Sequence, residues 1–163
     1  MCNTMTAPLT PYSSELGNQD PLAAMRSSIE HVQDVTRDWP ANRFERSYAP
    51  GKWNARQLLT HLAQTEVALG TRARMAIVTA GYVAQDMDQD AWISLDARLS
   101  GRAAVDAFVA IARMNVGFFE GLSSAERART LEHPQYGTLT VDWVLHQMAG
   151  HHIHHIAQLR RIP

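Results

Sequence analysis

The sequence predicts an all-α protein, a four-helix bundle with long connections between its helices. Four long segments carry apolar residues at three- and four-residue steps, the pattern of a helix with one buried face. Helix-initiating residues precede these segments, and no segment carries a convincing strand pattern. Amphipathic helices without a sheet must bury their apolar faces against one another, which favours a bundle.

The first predicted helix begins at Asp20-Pro21, a capping acid followed by proline at the first helical position, and ends at Pro40. Residues 1–19 are rich in Ser, Thr, Pro and Asn, and they predict a disordered or frayed tail. A single helical-bundle domain is expected to span residues 20–163.

The second helix is predicted from Ala55 to Ala80, because Asn54 and Gln57 form a capping-box pattern ahead of it and Gly81 follows it. Residues 82–99 are acidic and irregular, with a short helical turn expected around Trp92.

The third helix is expected to start near Ser100 and to end near Gly121. A polar link over residues 123–138 follows, and Thr140 is predicted to cap a fourth helix that runs to the C-terminus.

Composition excludes several classes of protein. The 15 basic and 16 acidic residues give a net charge of -1 without a basic block, so nucleic acid is not an expected partner. No apolar run approaches the roughly 20 residues of a membrane span. The single cysteine, Cys2, lies in the predicted tail and cannot form an internal disulfide, which favours a cytoplasmic location.

The histidines carry the functional signal, because five of the eight lie between residues 146 and 155. Residues four apart stack on one face of a helix, so His151 and His155 can reach the same metal ion. The pairs spaced by three, His151/His154 and His152/His155, are second choices. A solvated histidine-rich helix is the alternative interpretation.

His61 on the second helix is the natural third ligand. It lies about 60 degrees from Leu58 on the helical wheel, within the inward-facing arc. A polar side chain there must be hydrogen-bonded or coordinated to offset its desolvation. A hydrogen-bonded core histidine remains the other interpretation of this residue.

Two segments resemble the DinB-like superfamily and its YfiT-type members: GKWNARQLLTHLAQTE (residues 51–66) and HPQYGTLTVDWVLHQMAGHHIHHIAQLRRI (residues 133–162). The superfamily pattern is a Trp and a His-Leu on the second helix, then His-x-x-x-His and a Gln on the fourth. The matching positions are Trp53, His61-Leu62, His151, His155 and Gln158. The resemblance implies a four-helix bundle and a metal-dependent hydrolase whose ligands are His61, His151 and His155.

Three further residues are candidates around this site. Glu66 is inward but about 140 degrees from His61 around the helix, so it is a candidate proton carrier or hydrogen-bond partner rather than a ligand. His152 and Gln158 are candidates to orient a ligand or to line a pocket. A packed core histidine and a surface glutamine are their alternative interpretations.

The leading functional hypothesis is a hydrolase, because a three-histidine metal site can lower the pKa of bound water to about 7. The resemblance also implies a second possibility, since the superfamily includes transferases of low-molecular-weight thiols and a thiol-dependent isomerase. A non-catalytic metal-binding protein of the stress response is the third.

The expected cofactor is a divalent transition metal, with zinc the first choice and nickel the second, since neutral imidazoles suit several such ions. The expected partner is a small-molecule substrate, for which a thiol is one option. The resemblance is also compatible with a homodimer.

Overall fold

The computed structural model describes residues 7–163, which are mainly helical. The helices are α1 Ser13–Leu16, α2 Pro21–Thr36, α3 Ala55–Val78, α4 Gln89–Leu95, α5 Gly101–Glu120, α6 Ser124–Arg127 and α7 Val141–Leu159, with a 3-10 turn at Ala41–Arg43. Two short strands, β1 Thr130–His133 and β2 Gly137–Thr140, precede α7.

The four long helices form the predicted four-helix bundle. Helix α3 packs against α5 and α7, and α2 packs against the same two helices. Their apolar faces meet in one core, whose largest fully buried side chains include Met25, Leu58, Leu62, Phe108, Phe119, Leu145 and Met148. Burial of this continuous apolar surface is the main force that holds the bundle together.

The predicted N-caps are present. The Asp20 side chain accepts a hydrogen bond from the Ala23 amide at 2.8 Å, and the Thr140 hydroxyl accepts one from the Trp143 amide at 3.0 Å. Asn54 and Gln57 form a complete capping box at the start of α3. These caps satisfy amides that have no partner within the helix and fix where each helix begins.

Helices α2 and α3 end before the residues predicted from the sequence. Helix α2 stops at Thr36 rather than Pro40, and α3 stops at Val78 rather than Ala80. Proline restricts the residues before it as well as its own position, so the last turn before Pro40 leaves the helix early. Only tertiary packing decides at which residue such a helix ends.

Part of the predicted tail is folded, which corrects the expectation for residues 13–19. Helix α1 packs on α7, and Leu16 is 3% exposed. Contacts with distant residues of α7 hold this part of the chain, such as the hydrogen bond that the Trp143 indole N–H donates to the Leu9 carbonyl at 2.9 Å, so the local sequence does not reveal it. Residues 1–6, with Cys2, lie outside the described residues.

The predicted polar link contains a β-hairpin, which corrects the expectation that no strand is present. The strands pair antiparallel, with Leu131 opposite Leu139, and both leucines are buried. Gly137 has φ 71°, a conformation that glycine adopts without strain. Each strand has only four residues, too few for the alternating pattern to stand out.

Within residues 7–163, no helix combines the length and the hydropathy that a membrane span needs.

Candidate metal centre and adjoining cleft

Three histidines from two helices converge in the interior of the bundle. His61 comes from α3, and His151 and His155 come from α7; one ligand atom from each lies within 4.8 Å of the other two. The Nε2 atoms of His61 and His151 are 2.9 Å apart. We call these residues the three-histidine group.

Local helix geometry brings this group together. His151 and His155 are four residues apart on α7, and their ring centroids are 4.4 Å apart. The capping box at Asn54 sets the start of α3, and His61 lies on its buried side between Leu58 and Leu62. Each histidine of the group is at most 6% exposed.

Burial keeps the three imidazoles neutral. Desolvation lowers the pKa of His61 from 6.5 to about 4 and that of His155 to about 3. Desolvation, reinforced by His155 and His61, also lowers the pKa of His151 well below its ordinary value. At pH 7 the group therefore offers nitrogen lone pairs rather than positive charges.

The donor set fits a divalent transition metal ion. Two neutral Nε2 atoms that direct their lone pairs at each other from 2.9 Å repel each other. A proton or a cation between the two atoms removes this repulsion. Tetrahedral zinc, with Zn–N bonds of 2.0–2.1 Å, would place ligand nitrogens about 3.3 Å apart. The separations within the three-histidine group are compatible with that spacing.

Gln158 and Trp53 contact the group from the side of the α3 N-terminus. Gln158 Oε1 lies 2.7 Å from His155 Nδ1, so it accepts that N–H and leaves the Nε2 lone pair free. The Trp53 ring centroid is 4.9 Å from that of His61, and the indole N–H donates to Asp90 Oδ1 at 3.0 Å. These contacts restrict the orientation of two of the three imidazoles.

Glu66 and His152 lie together in the core, apart from the group. Their Oε1 and Nε2 atoms are 2.7 Å apart, and both side chains are at most 1% exposed. Asn115 on α5 donates to Glu66 Oε2 at 2.9 Å. The structure therefore joins the candidate proton carrier to His152 and does not bring it into the three-histidine group.

An open cleft of about 260 Å³ adjoins the group, and His61 and His151 form part of its wall. His133 and Tyr136, from the hairpin, also line it. The cleft makes the group accessible to a small molecule.

Several cleft residues are absent from the sequence-based site. Thr65 and Arg72 follow His61 by four and eleven residues, so a helical wheel would have placed them on the same face. Tyr12 contributes an aromatic wall from the segment predicted as a tail. Its ring centroid is 5.2 Å from that of His151, and no local pattern signals this long-range contact.

The fold and the three-histidine group together define a class of protein: a four-helix bundle with a candidate metal centre between two of its helices. The sequence profile of the DinB superfamily matches residues 23–159. The chain belongs to the DinB superfamily.

Relatives of the chain include two bacterial proteins named "putative metal-dependent hydrolase". One, from Oceanobacillus iheyensis, is 25% identical over 139 residues, which cover 80% of this chain and 81% of the relative. Another, from Halalkalibacterium halodurans, is 20% identical over 117 residues, which cover 71% of this chain and 68% of the relative.

Two solved structures are similar in fold. YfiT from Bacillus subtilis, described as a probable metal-dependent hydrolase with an unusual four-helix bundle topology, matches with a TM-score of 0.77 at 16% identity. The match covers 96% of this chain and 91% of YfiT. A mycothiol-dependent maleylpyruvate isomerase matches with a TM-score of 0.73 at 16% identity, over 93% of this chain. The chain spans only 63% of that isomerase.

Proposed function

We propose that this protein is a metal-dependent enzyme, with hydrolysis as the leading reaction, and that His61, His151 and His155 hold one divalent transition metal ion. The observation that carries the proposal is the convergence of three buried, neutral imidazoles beside an open cleft. Relatives named as metal-dependent hydrolases support the same class of activity.

A bound ion of this kind supplies Lewis acidity, which lowers the pKa of a coordinated water to about 7. The chain itself supplies the rest of the site. Burial keeps the ligands deprotonated, Gln158 sets the tautomer of His155, and the cleft admits a substrate next to His61 and His151. A volume of about 260 Å³ suits a small molecule rather than a polymer.

Transfer of a low-molecular-weight thiol is the second candidate reaction. The fold similarity to a mycothiol-dependent isomerase supports it, because a soft metal centre also binds a thiol as its nucleophilic thiolate. The third candidate, a non-catalytic metal-binding protein of the stress response, is less favoured because the group adjoins a cleft instead of being enclosed.

Glu66 is a weaker proposal as proton carrier, since both of its carboxylate oxygens accept hydrogen bonds from buried partners. We propose that Glu66 and His152 position α3 against α7. Zinc stays our first choice of metal and nickel the second. The homodimer and the cytoplasmic location stay predictions.

Metal analysis of purified protein tests the ligand set. The wild type should bind about one divalent ion per chain, and His61→Ala, His151→Ala and His155→Ala should each lose most of it, because a site with two remaining ligands binds weakly. His31→Ala, at an exposed histidine of α2, is the matched control and should bind like the wild type. Wild-type stoichiometry in all three ligand variants would overturn the assignment.

A further inference from the structure

One face of α3 lines the cleft from the three-histidine group outwards. His61, Thr65, Leu69 and Arg72 all contribute to its wall. Arg72 lies eleven residues after His61, about 16 Å further along the axis and within about 20 degrees around it. Because helical side chains lean towards the N-terminus, we expect the Arg72 side chain to lean back along this face towards the histidines.

Arg72 is a desolvated cation with few partners. The residue is partly buried, and burial lowers the pKa of its guanidinium. One of its N–H groups donates to the Gln85 carbonyl, and no carboxylate from residues 7–163 lies within 4.0 Å. The planar guanidinium group can contact a carboxylate through two N–H groups at once, and a partly desolvated guanidinium gains most from such a partner.

The other ionisable groups around Arg72 compensate this positive charge only in part, because Tyr82 and Asp86 raise the pKa of Arg72 by less than burial lowers it. Asp86 also lines the cleft, but its side chain is 68% exposed and its closest ionisable neighbour is His133, at 3.8 Å. Burial and the nearby Arg72 lower the pKa of His133, which favours its neutral form. Solvent screens the charge of the exposed Asp86 carboxylate much more than it screens charges on the buried side of the cleft.

A second polar group in the cleft wall also lacks a partner. Gln147 is on α7, one turn before His151, and its Oε1 atom is buried without a hydrogen-bond donor from residues 7–163. A buried acceptor of this kind is normally satisfied, so it suits an N–H or O–H group of a bound molecule. Both features point to a ligand that extends along the cleft.

We propose that Arg72 is the anion-binding residue of the substrate site. The substrate is then a small molecule with a carboxylate about 10 Å from the group that reacts beside His61 and His151, which is the axial rise of about 16 Å shortened by the reach of the Arg72 side chain. The inference rests on the proposed function, because it takes the three-histidine group as the reacting end of the cleft. It adds the chemical class of the substrate and the residue that selects it.

The test uses two ligands that differ only at the far end. Suberic acid monohydroxamate has a metal-binding hydroxamate and a free carboxylate, and its methyl ester lacks that charge. Their dissociation constants are measured from the visible spectrum of the cobalt(II)-loaded protein. We expect the acid to bind about 10- to 100-fold more tightly than the ester, as for a charge-assisted hydrogen bond.

Variants assign the effect to Arg72. Arg72→Met should remove the preference for the acid, so that the acid and the ester bind with similar dissociation constants, and Arg72→Lys should retain part of the preference. Arg113→Met, which removes an equal charge from an exposed position on α5, should keep the full preference. Asp86→Asn should increase the preference, because it removes the competing negative charge at the edge of the cleft.

The outcomes separate the two proposals. If the wild type does not bind cobalt, the proposed metal centre is wrong, and the inference falls with it. If cobalt binds but the acid and ester bind equally, or neither ligand alters the spectrum, the anion site is wrong while the metal centre stands. Loss of preference in Arg113→Met as well as in Arg72→Met would also overturn it.

Discussion

At the residue scale, the Glu66–His152 pair shows how inward-facing polar residues can belong to a buried hydrogen-bond network. Both residues are inward-facing on their helices, although the helical wheel places Glu66 about 140 degrees from His61. The structure shows that Glu66 accepts hydrogen bonds from His152 and Asn115, which links α3 to α7 and α5. Such a buried network stabilises one arrangement of the helices when all its members are satisfied.

We therefore expect Glu66→Ala to lower the free energy of unfolding by about 2–5 kcal/mol, because it removes the carboxylate acceptor of buried His152 and one of the two acceptors of the Asn115 amide group. Glu66→Gln should lower the free energy of unfolding by less, since the amide retains one carbonyl oxygen as an acceptor. Urea denaturation of the metal-free protein measures both effects.

Glu30→Ala is the matched control, because Glu30 is exposed on α2; its effect should lie within about 0.5 kcal/mol of zero. Wild-type stability in Glu66→Ala would contradict the structural role and would revive Glu66 as a candidate proton carrier.

At the scale of elements, the contact between α1 and α7 depends on a glycine. A Cβ atom at Gly150 would lie 2.5 Å from the Tyr12 carbonyl oxygen and 2.7 Å from Tyr12 Cβ. Only a glycine allows the segment before α1 to approach α7 this closely. The same approach places Tyr12 against His151 and in the wall of the cleft.

Two glycine-to-alanine variants test this close contact. Gly150→Ala should detach the segment from α7, with a loss of about 1–3 kcal/mol in stability and faster proteolysis near residues 7–19. Gly117→Ala, in α5, is the control: a Cβ there meets no atom within 4 Å, so helix propensity should raise stability by about 0.5–1 kcal/mol.

Mass spectrometry of limited digests and urea denaturation report the two effects separately. Equal stability changes in the two variants would show that the close approach of Tyr12 to α7 does not contribute to the fold.

Element boundaries show where local sequence is informative. Asp20, Asn54 and Thr140 cap three of the long helices as predicted, because capping is a contact within a single turn. Ser100, near which the third helix is expected to start, caps that helix. Helix α1 and the hairpin were missed. Each is held by contacts with distant residues, such as Gly150 for Tyr12, which no local pattern can reveal.

At the scale of the whole molecule, burial of the three-histidine group couples folding to pH. The unfolded chain has histidines with a pKa near 6.5, whereas folding lowers the pKa of His61 to about 4 and that of His155 to about 3. Between these values the unfolded state binds more protons, so acid favours unfolding. The contribution is fully present above pH 6.5 and is lost as the pH falls towards 3–4.

We expect the stability of the metal-free protein to decline from pH 6.5 to pH 4.5, with a slope of about 1.4 kcal/mol per pH unit from each buried histidine. In His155→Gln the slope of stability against pH should be shallower by the contribution of one histidine, because one fewer proton is taken up on unfolding. His31→Gln should keep the wild-type slope. Urea denaturation in the presence of a chelator measures the slopes. Identical slopes for wild type and His155→Gln would show that His155 is not held neutral by the fold.

The sequence by itself determined the helical class, the helix starts and the histidines that could share an ion. Each of these follows from spacing within one helix: the caps lie within a turn, and His151 and His155 are one turn apart. The inward position of His61 on the second helix made it the natural third ligand, and the resemblance implied the same three histidines.

Only the tertiary structure decided what surrounds those histidines. It separated Glu66 from the three-histidine group, placed Tyr12 against His151, and aligned Arg72 with the cleft. The physical reason is that these relations depend on the packing of different elements against one another, and the direction of each buried side chain is set by close contacts over the whole bundle.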